Sequence, residues 1–218
     1  MTSIPFKYPL PEHSLPEHSL PKHLPANERR AATVKTVIDL AAEQNPSEIT
    51  TTVIAQRMGL TQGALFRHFP KKTDIFQAVI CWVADTLLAR IDAAAAGVES
   101  PLVALEAVFM AHVGFVAKHP GVPRILFGEL QQAGETLPKQ RVQSLMQQYG
   151  KRLTVLLEAG KAQGELVADL DVGAAKALFL GSIQGLVVQS MMGNRVASIG
   201  EDAPDAFAIY RRGIRNAL

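Results

Sequence analysis

Residues 49–76, ITTTVIAQRMGLTQGALFRHFPKKTDIF, constrain the fold more tightly than any other stretch of the chain. Two threonines stand where helices can begin. Thr50 lies between Ile49 and, four residues on, Ile54; Thr61 lies in the same way between Leu60 and Leu65. A threonine hydroxyl at an N-cap accepts a hydrogen bond from a first-turn N–H, and the apolar pair staples the chain across the cap. Gly59 follows Met58, where a helix ends in the left-handed region that glycine enters without steric cost. Two short capped helices, a glycine-bearing turn and a third helix starting near Thr73 describe a helix-turn-helix. The element predicts DNA binding.

A helix predicted from Asn27, as its N-cap, to Asn45-Pro46 precedes this element. On it Val34, Val37, Ile38 and Ala41 recur at i, i+3, i+4 and i+7, one apolar stripe. Together with Ile54, Ala55, Leu60, Leu65, Phe66 and Phe69 they can form the buried side of a three-helix unit. Thr61, Gln62, Gly63, Ala64, Arg67 and His68 then point outward. Those side chains are short or hydrogen-bonding, as suits a major groove about 12 Å wide. Gln62 can present a bidentate amide to adenine, and the Ala64 methyl can meet a thymine methyl. Lys71, Lys72 and the amide end of the following helix fall beside the DNA backbone. Arg29, Arg30 and Lys35 either touch phosphates or form a solvated basic face.

The stretch TTTVIAQRMGLTQGALFRHFPKKTDIF resembles the N-terminal DNA-binding domain of the TetR family of bacterial regulators. That pattern is roughly a threonine-led helix, an Ile-Ala pair, Ala/Met-Gly-Val/Leu, then Ser/Thr-x-Gly-x-Leu-Tyr-x-His-Phe and a lysine soon after. The likeness runs from residue 27 to about 80. It implies that Thr51 and Thr52 contact phosphates or bases, that Gln62, Gly63 and Ala64 face bases, and that His68 and Lys72 hold phosphates. Phe66 departs from the pattern, because the family usually carries a tyrosine whose hydroxyl meets a phosphate. One such bond is worth about 0.5–1.5 kcal/mol; Arg67 can offset its loss, and Phe66 is assigned to the core.

The formal net charge is only +2 over 218 residues, so any nucleic-acid footprint must be local. Between Ala26 and Lys72 seven Lys/Arg stand against four acids, a modest excess. The single cysteine, Cys81, allows no intrachain disulfide, and a reducing cytosol is the simplest setting. No apolar segment follows a basic start at the N-terminus, so no signal peptide is expected. Residues 1–25 form a separate tail in which PEHSL occurs at Pro11–Leu15 and again at Pro16–Leu20. Proline every five residues excludes continuous helix and predicts an extended, disordered arm. Its histidines, His13, His18 and His23, fit no metal motif; neither a metal nor a cofactor is expected.

Beyond the motif, helices are predicted over Thr73–Ala96, Pro101–Lys118, a short piece from Arg124, Lys139–Gln163, Val172–Met192 capped by Asp171, and a last one after Pro204. The apolar stretch Val172–Gly193 is interrupted by Lys176, Gln184 and Gln189. It is assigned to a folded core, since a membrane span needs about 20 predominantly apolar residues. Gly181 and Gly185, four apart, invite close approach of another helix, and a homodimer through the last two helices is expected. The chain is thus expected to be all-α with about nine helices: the tail, a helix-turn-helix domain over 26–76, and a helical ligand-binding and dimerisation domain over 77–218.

Residues 101–218 carry no nucleophile–base pair, metal-spaced cluster or phosphate loop, so an enzyme is disfavoured. In the resembling family such a body binds a small molecule. Phe109, His112, Val113, Phe127, Leu156, Phe179 and Ile183 are the candidate lining, although plain core is the default role for each. The leading expectation is a sequence-specific regulator, most often a repressor in such families, bound as a dimer to a pseudo-palindromic operator. An apolar or amphipathic effector would release it by favouring the non-binding geometry. The alternative is a DNA-bound protein whose body recruits a protein partner and needs no effector.

Overall fold

The computed structural model describes residues 25–193 and 195–216, so the PEHSL arm and its histidines lie outside the described residues. Within them the chain folds as nine α-helices: α1 (Ala26–Glu43), α2 (Thr51–Arg57), α3 (Gln62–Phe66), α4 (Lys72–Ala95), α5 (Pro101–Lys118), α6 (Gly121–Leu130), α7 (Leu137–Ala162), α8 (Val172–Met192) and α9 (Ala203–Ile214). Two 3-10 turns, Pro46–Glu48 and Val196–Ser198, complete the order. Extended pairing among the described residues is limited to one isolated antiparallel bridge, Leu166 with Arg215. The all-α expectation holds.

Three helices start earlier than their prolines suggested. α6 begins at Gly121 rather than Arg124, α7 at Leu137 rather than Lys139, and α9 at Ala203 ahead of Pro204. Pro123, Pro138 and Pro204 all fall in a first turn, where the missing N–H has no intrahelical partner to lose. At α1 the cap is different from the one expected. Pro25 occupies the N-cap position without a side-chain cap, and Asn27 lies inside the first turn.

The chain forms two compact units: everything described up to Asp85 together with His119–Gln143, and Thr86–Lys118 together with 144–216. In the first unit α1 is buried on nearly every side, with Ala31, Ala32, Val34, Val37, Ile38, Leu40 and Ala41 all within the core. α2 covers one side, as the single stripe predicted. α6 covers the other, and no stripe announced it. The approach is close: a Cβ placed on Gly121 would lie 2.0 Å from the Ile38 carbonyl oxygen and 2.8 Å from the Ala42 nitrogen. Only glycine fits there. Thr33 and Thr36, both buried, donate their hydroxyls one turn back to the carbonyls of Arg29 and Ala32, at 2.8 and 2.9 Å, so neither polar group is stranded.

The second unit is organised by aromatic side chains on α5, α7, α8 and α9. The Phe109 ring centroid lies 5.3 Å from those of both Phe179 and Phe207, and the Phe179 and Tyr210 centroids are 5.5 Å apart. The Phe109–Phe179 and Phe179–Tyr210 pairs are edge-to-face, an arrangement that adds about 0.5–1.5 kcal/mol beyond the area it buries. Tyr210 donates its hydroxyl to the Ala175 carbonyl at 3.0 Å. Tyr149 sits within hydrogen-bond reach of His112, Oη to Nδ1 3.2 Å. Burial pushes both tyrosine hydroxyls above the usual phenol range and pushes the His112 imidazole down to about 4. The pair is therefore neutral at physiological pH. α8 starts as expected, with Asp171 Oδ1 accepting from the Ala174 N–H at 2.9 Å.

By length and composition alone α5 and α8 are apolar enough to cross a membrane. α5 turns Leu105, Val108, Phe109, Val113 and Phe115 into the core, whereas α8 buries only Ala175, Phe179, Ile183, Val187 and Ser190. Of its other apolar side chains, Leu178, Val188 and Met192 are exposed.

Two consequences are measurable. Gly121→Ala must push α6 off the α1 backbone, and should lower stability in denaturant titration by about 2 kcal/mol or more. His112 titrates near 6.5 when unfolded and near 4 when folded, so the unfolded chain binds the proton first. Its contribution is whole above about pH 6.5, declines as the pH falls and levels off below about 4, a loss of about 3 kcal/mol in all. Unfolding curves at pH 7.5 and 4.5 should therefore differ by less in His112→Gln than in the wild type.

Candidate nucleic-acid interface

The helix-turn-helix forms from the local signals that the sequence displays. Thr50 Oγ1 accepts from the Val53 N–H and Thr61 Oγ1 from the Ala64 N–H, each at 3.2 Å. Gly59 has φ +65°, its N–H reaches the Gln56 carbonyl at 3.0 Å, and the Leu60 N–H reaches back to Ala55 at 2.8 Å. These two bonds close α2 and turn the chain into α3. Ile49, Ile54, Ala55, Met58, Leu65 and Phe69 are buried, and Leu60 is half-buried.

α3 is five residues long, and part of what holds it comes from α1. Arg30 Nη1 donates to the His68 carbonyl at 2.6 Å, while its guanidinium lies 4.2 Å from the centre of the Phe69 ring. One side chain thus fixes the chain just past the end of α3 and covers Phe69, the core residue that follows it. No local signal marks this role, because arginine spacing alone does not distinguish a clamp from a phosphate contact.

The other cations sort themselves similarly. Arg29 is buried, Lys35 pairs with Asp39 at 2.8 Å, and Arg57 forms a two-pronged bond to Glu43 at 2.9 and 2.5 Å. The Arg57 guanidinium holds the Glu43 carboxyl below the usual carboxylate range. Of the seven basic residues between Ala26 and Lys72, the ones gathered about the end of α3 and the start of α4 are Arg67, Lys71 and Lys72. Arg67 and Lys71 are exposed. Lys72 is half-buried, with Nζ 5.4 Å from the centre of the Phe76 ring. It also offsets the burial that raises Glu129 on α6. α4 opens with Asp74 Oδ2 accepting the Lys71 N–H at 3.0 Å, the acidic half of a capping box.

On the outward side of α2 and α3, Thr52, Thr61, Gln62 and Gly63 are exposed, while Thr51, Ala64 and His68 are half-buried. Gln62 Nε2 donates to Thr51 Oγ1 at 2.8 Å and to Thr52 Oγ1 at 3.0 Å, tying the starts of the two helices together. His68 is held below the ordinary imidazole range, first by desolvation and then by Arg29, Arg30 and Arg67. Phe66 corrects the sequence reading: it is 40% exposed and belongs to the outer surface, not the core. It lies one turn after Gln62, on the side of α3 away from Leu65. The core was already closed by Leu65 and Phe69, each at most 1% exposed.

The residues considered as an effector lining divide between the units. Phe109, His112, Val113, Leu156, Phe179 and Ile183 lie in the second, while Phe127 lies on α6 in the first. Phe109, Val113, Phe179 and Ile183 are fully buried; His112, Leu156 and Phe127 are partly exposed. Among the described residues no group of three or more His, Cys, Asp or Glu side chains is placed to hold a metal ion.

Comparison with known proteins agrees with this architecture. Residues 35–79 match the family model for bacterial regulatory proteins of the tetR family. Residues 99–188 match that for a tetracyclin repressor-like C-terminal domain. The nucleoid occlusion factor SlmA of Glaesserella parasuis is 31% identical over 144 residues, 65% of this chain and 71% of that protein. SlmA of Alteromonas mediterranea is 27% identical over 61% of this chain and 68% of that one. Among solved structures, the fatty acid degradation regulator FadR from Bacillus halodurans superposes with a TM-score of 0.77 at 17% identity, covering 90% of this chain and 100% of that one. FadR from Bacillus subtilis, solved in complex with stearoyl-CoA, gives a TM-score of 0.73 at 19% identity over 84% and 98% of the two chains. At such identities those two structures speak to the fold alone. The two family models account for both the helix-turn-helix and the helical body: this chain belongs to the TetR family of bacterial DNA-binding regulators.

Proposed function

We propose that the protein is a transcriptional repressor that binds a pseudo-palindromic operator as a homodimer. α3 enters the major groove, with Thr61, Gln62, Gly63 and Ala64 toward the bases. Thr51, Thr52, Arg67, His68 and Lys72 hold the backbone. The observation that carries the dimer is the outward face of α8. Ala174, Leu178, Gly181, Gly185, Val188 and Met192 recur at alternating spacings of four and three, the seam of a helix pair. Leu178 is 63%, Val188 45% and Met192 83% exposed, and Ile209 on the adjoining α9 is 70% exposed. A second copy laid on α8 and α9 would cover this row by a twofold four-helix packing, and a dimer carries the two α3 helices that two half-sites require.

An apolar or amphipathic effector in the second unit is the reading for release. Its support is the buried aromatic cluster about Phe109 and Phe179 with one polar pair, His112 and Tyr149, and a fold shared with a regulator solved with stearoyl-CoA. These rings pack against one another, so an effector entering among them must displace them. That same packing favours the second reading, in which another surface of the body engages a protein partner. The relatives are named nucleoid occlusion factors, a name that specifies no small-molecule effector. Operator release on adding stearoyl-CoA or a free long-chain fatty acid, with a raised melting temperature, supports the first; indifference to both favours the second.

Lys72→Ala should weaken binding to all sequences alike and reduce the slope of log affinity against log salt by about one unit. Phe66→Tyr, which returns a hydroxyl to the outer surface, should tighten operator binding by about 2- to 10-fold. Equal affinities for both variants and the wild type at matched salt would refute this assignment of the head. A Cβ on Gly181 or Gly185 meets nothing within 4 Å inside the protomer. Gly181→Leu with Gly185→Leu should therefore keep full helicity by circular dichroism, yet shift the sedimenting species from dimer to monomer.

A further inference from the structure

Gln62 is engaged before any DNA arrives. A primary amide nitrogen carries two hydrogens and no acceptor site. Gln62 Nε2 lies within hydrogen-bond distance of two threonine hydroxyls, 2.8 Å from Thr51 Oγ1 and 3.0 Å from Thr52 Oγ1, one acceptor for each of its hydrogens. The side chain's remaining polar atom is Oε1, which only accepts. Each threonine uses one lone pair to receive the amide and keeps its own O–H to donate elsewhere.

We propose that Thr51 and Thr52 are positioning residues that make Gln62 a one-sided reader of the operator. Oε1 accepts from an exocyclic amine in the major groove, adenine N6 or cytosine N4, while Nε2 stays on the threonines. This deepens the assignment of α3 to base edges and rests on it. A bidentate contact to adenine, which the residue type alone suggests, requires Nε2 to leave a threonine for N7. That exchanges one neutral hydrogen bond for another of similar strength, and it leaves a hydroxyl acceptor behind. The Oε1 contact is gained without such an exchange. Guanine and thymine present O6 and O4, acceptors, where an amine is needed, so the lone pairs oppose each other. The position facing Gln62 therefore admits adenine or cytosine and excludes guanine and thymine.

The test uses the full chain and duplexes selected by it from random DNA. The base position whose preference Gln62→Ala flattens is the one that Gln62 faces. Four duplexes differing only there are then compared by competition at fixed salt, each protein normalised to its own best duplex. The wild type should bind the adenine and cytosine duplexes within about threefold of each other, and both about fivefold or more tighter than the other two. Thr51→Val with Thr52→Val releases Nε2 for N7, so adenine should exceed cytosine by about fivefold or more. Thr51→Ser with Thr52→Ser keeps both acceptors and should restore the wild-type profile.

A wild-type preference for adenine over cytosine of about tenfold overturns the inference. So does a valine variant whose profile matches the wild type. If the valine variant does not fold, the wild-type profile decides alone. In each of these cases the assignment of α3 to the bases stands. If Gln62→Ala flattens no position, Gln62 reads no base, and the wider assignment of that residue falls together with this one.

Discussion

A helix of five residues cannot hold its shape in water, because nucleating it costs more than its few hydrogen bonds return. α3 is such a helix, and its geometry is imposed from outside. Leu65 and Phe69 anchor it from below, the Thr61 cap and the Gly59 turn fix its start, and Arg30 on α1 fixes the chain just past its end. Everything that this surface can do with DNA depends on those restraints. They also explain why α1 is buried around most of its circumference: it is the platform on which both α2 and α6 are set.

The platform changes what the charges mean. A count of basic residues over Ala26–Lys72 suggests a mildly positive face, but much of that charge is internal to the unit. Arg30 serves as a clamp, and Lys35 and Arg57 are neutralised by Asp39 and Glu43. What gathers at the end of α3 is Arg67, Lys71 and Lys72, beside a His68 that burial and neighbouring arginines hold below the ordinary imidazole range. Few phosphates can be neutralised by one such head. Counterion release from a single copy is correspondingly small, which is a physical reason for two copies to act together.

Most of the reading unit was legible because its signals are local. A cap, a staple and a C′ glycine each act within five residues, and Thr50, Thr61, Gly59 and Asp171 took the roles their positions promised. The failures came where a distant partner decides. The stripe on α1 showed one buried face, but the second is created by Gly121, some eighty residues away in sequence, which leaves no periodic trace on α1. Phe66 looked like core because it is aromatic and apolar, yet the interior under α3 is filled by Leu65 and Phe69. Pro123 and Pro138 looked like breaks because proline stops a helix everywhere except in its first turn.

The same reasoning bears on the body. A soluble monomer keeps its large apolar side chains scattered when they are exposed, since a contiguous row attracts whatever apolar surface it meets. Leu178, Val188 and Met192 are not scattered: they share one side of α8 with two glycines that lower the surface between them. Glycine in a helix interior weakens it by about 0.5–1 kcal/mol relative to alanine, and here neither glycine is needed for packing inside the protomer. A destabilising residue that no internal contact requires makes sense if an external one does. Close approach of another helix is such a contact, and a second α8, carrying the same groove and the same ridges, is complementary to it by symmetry.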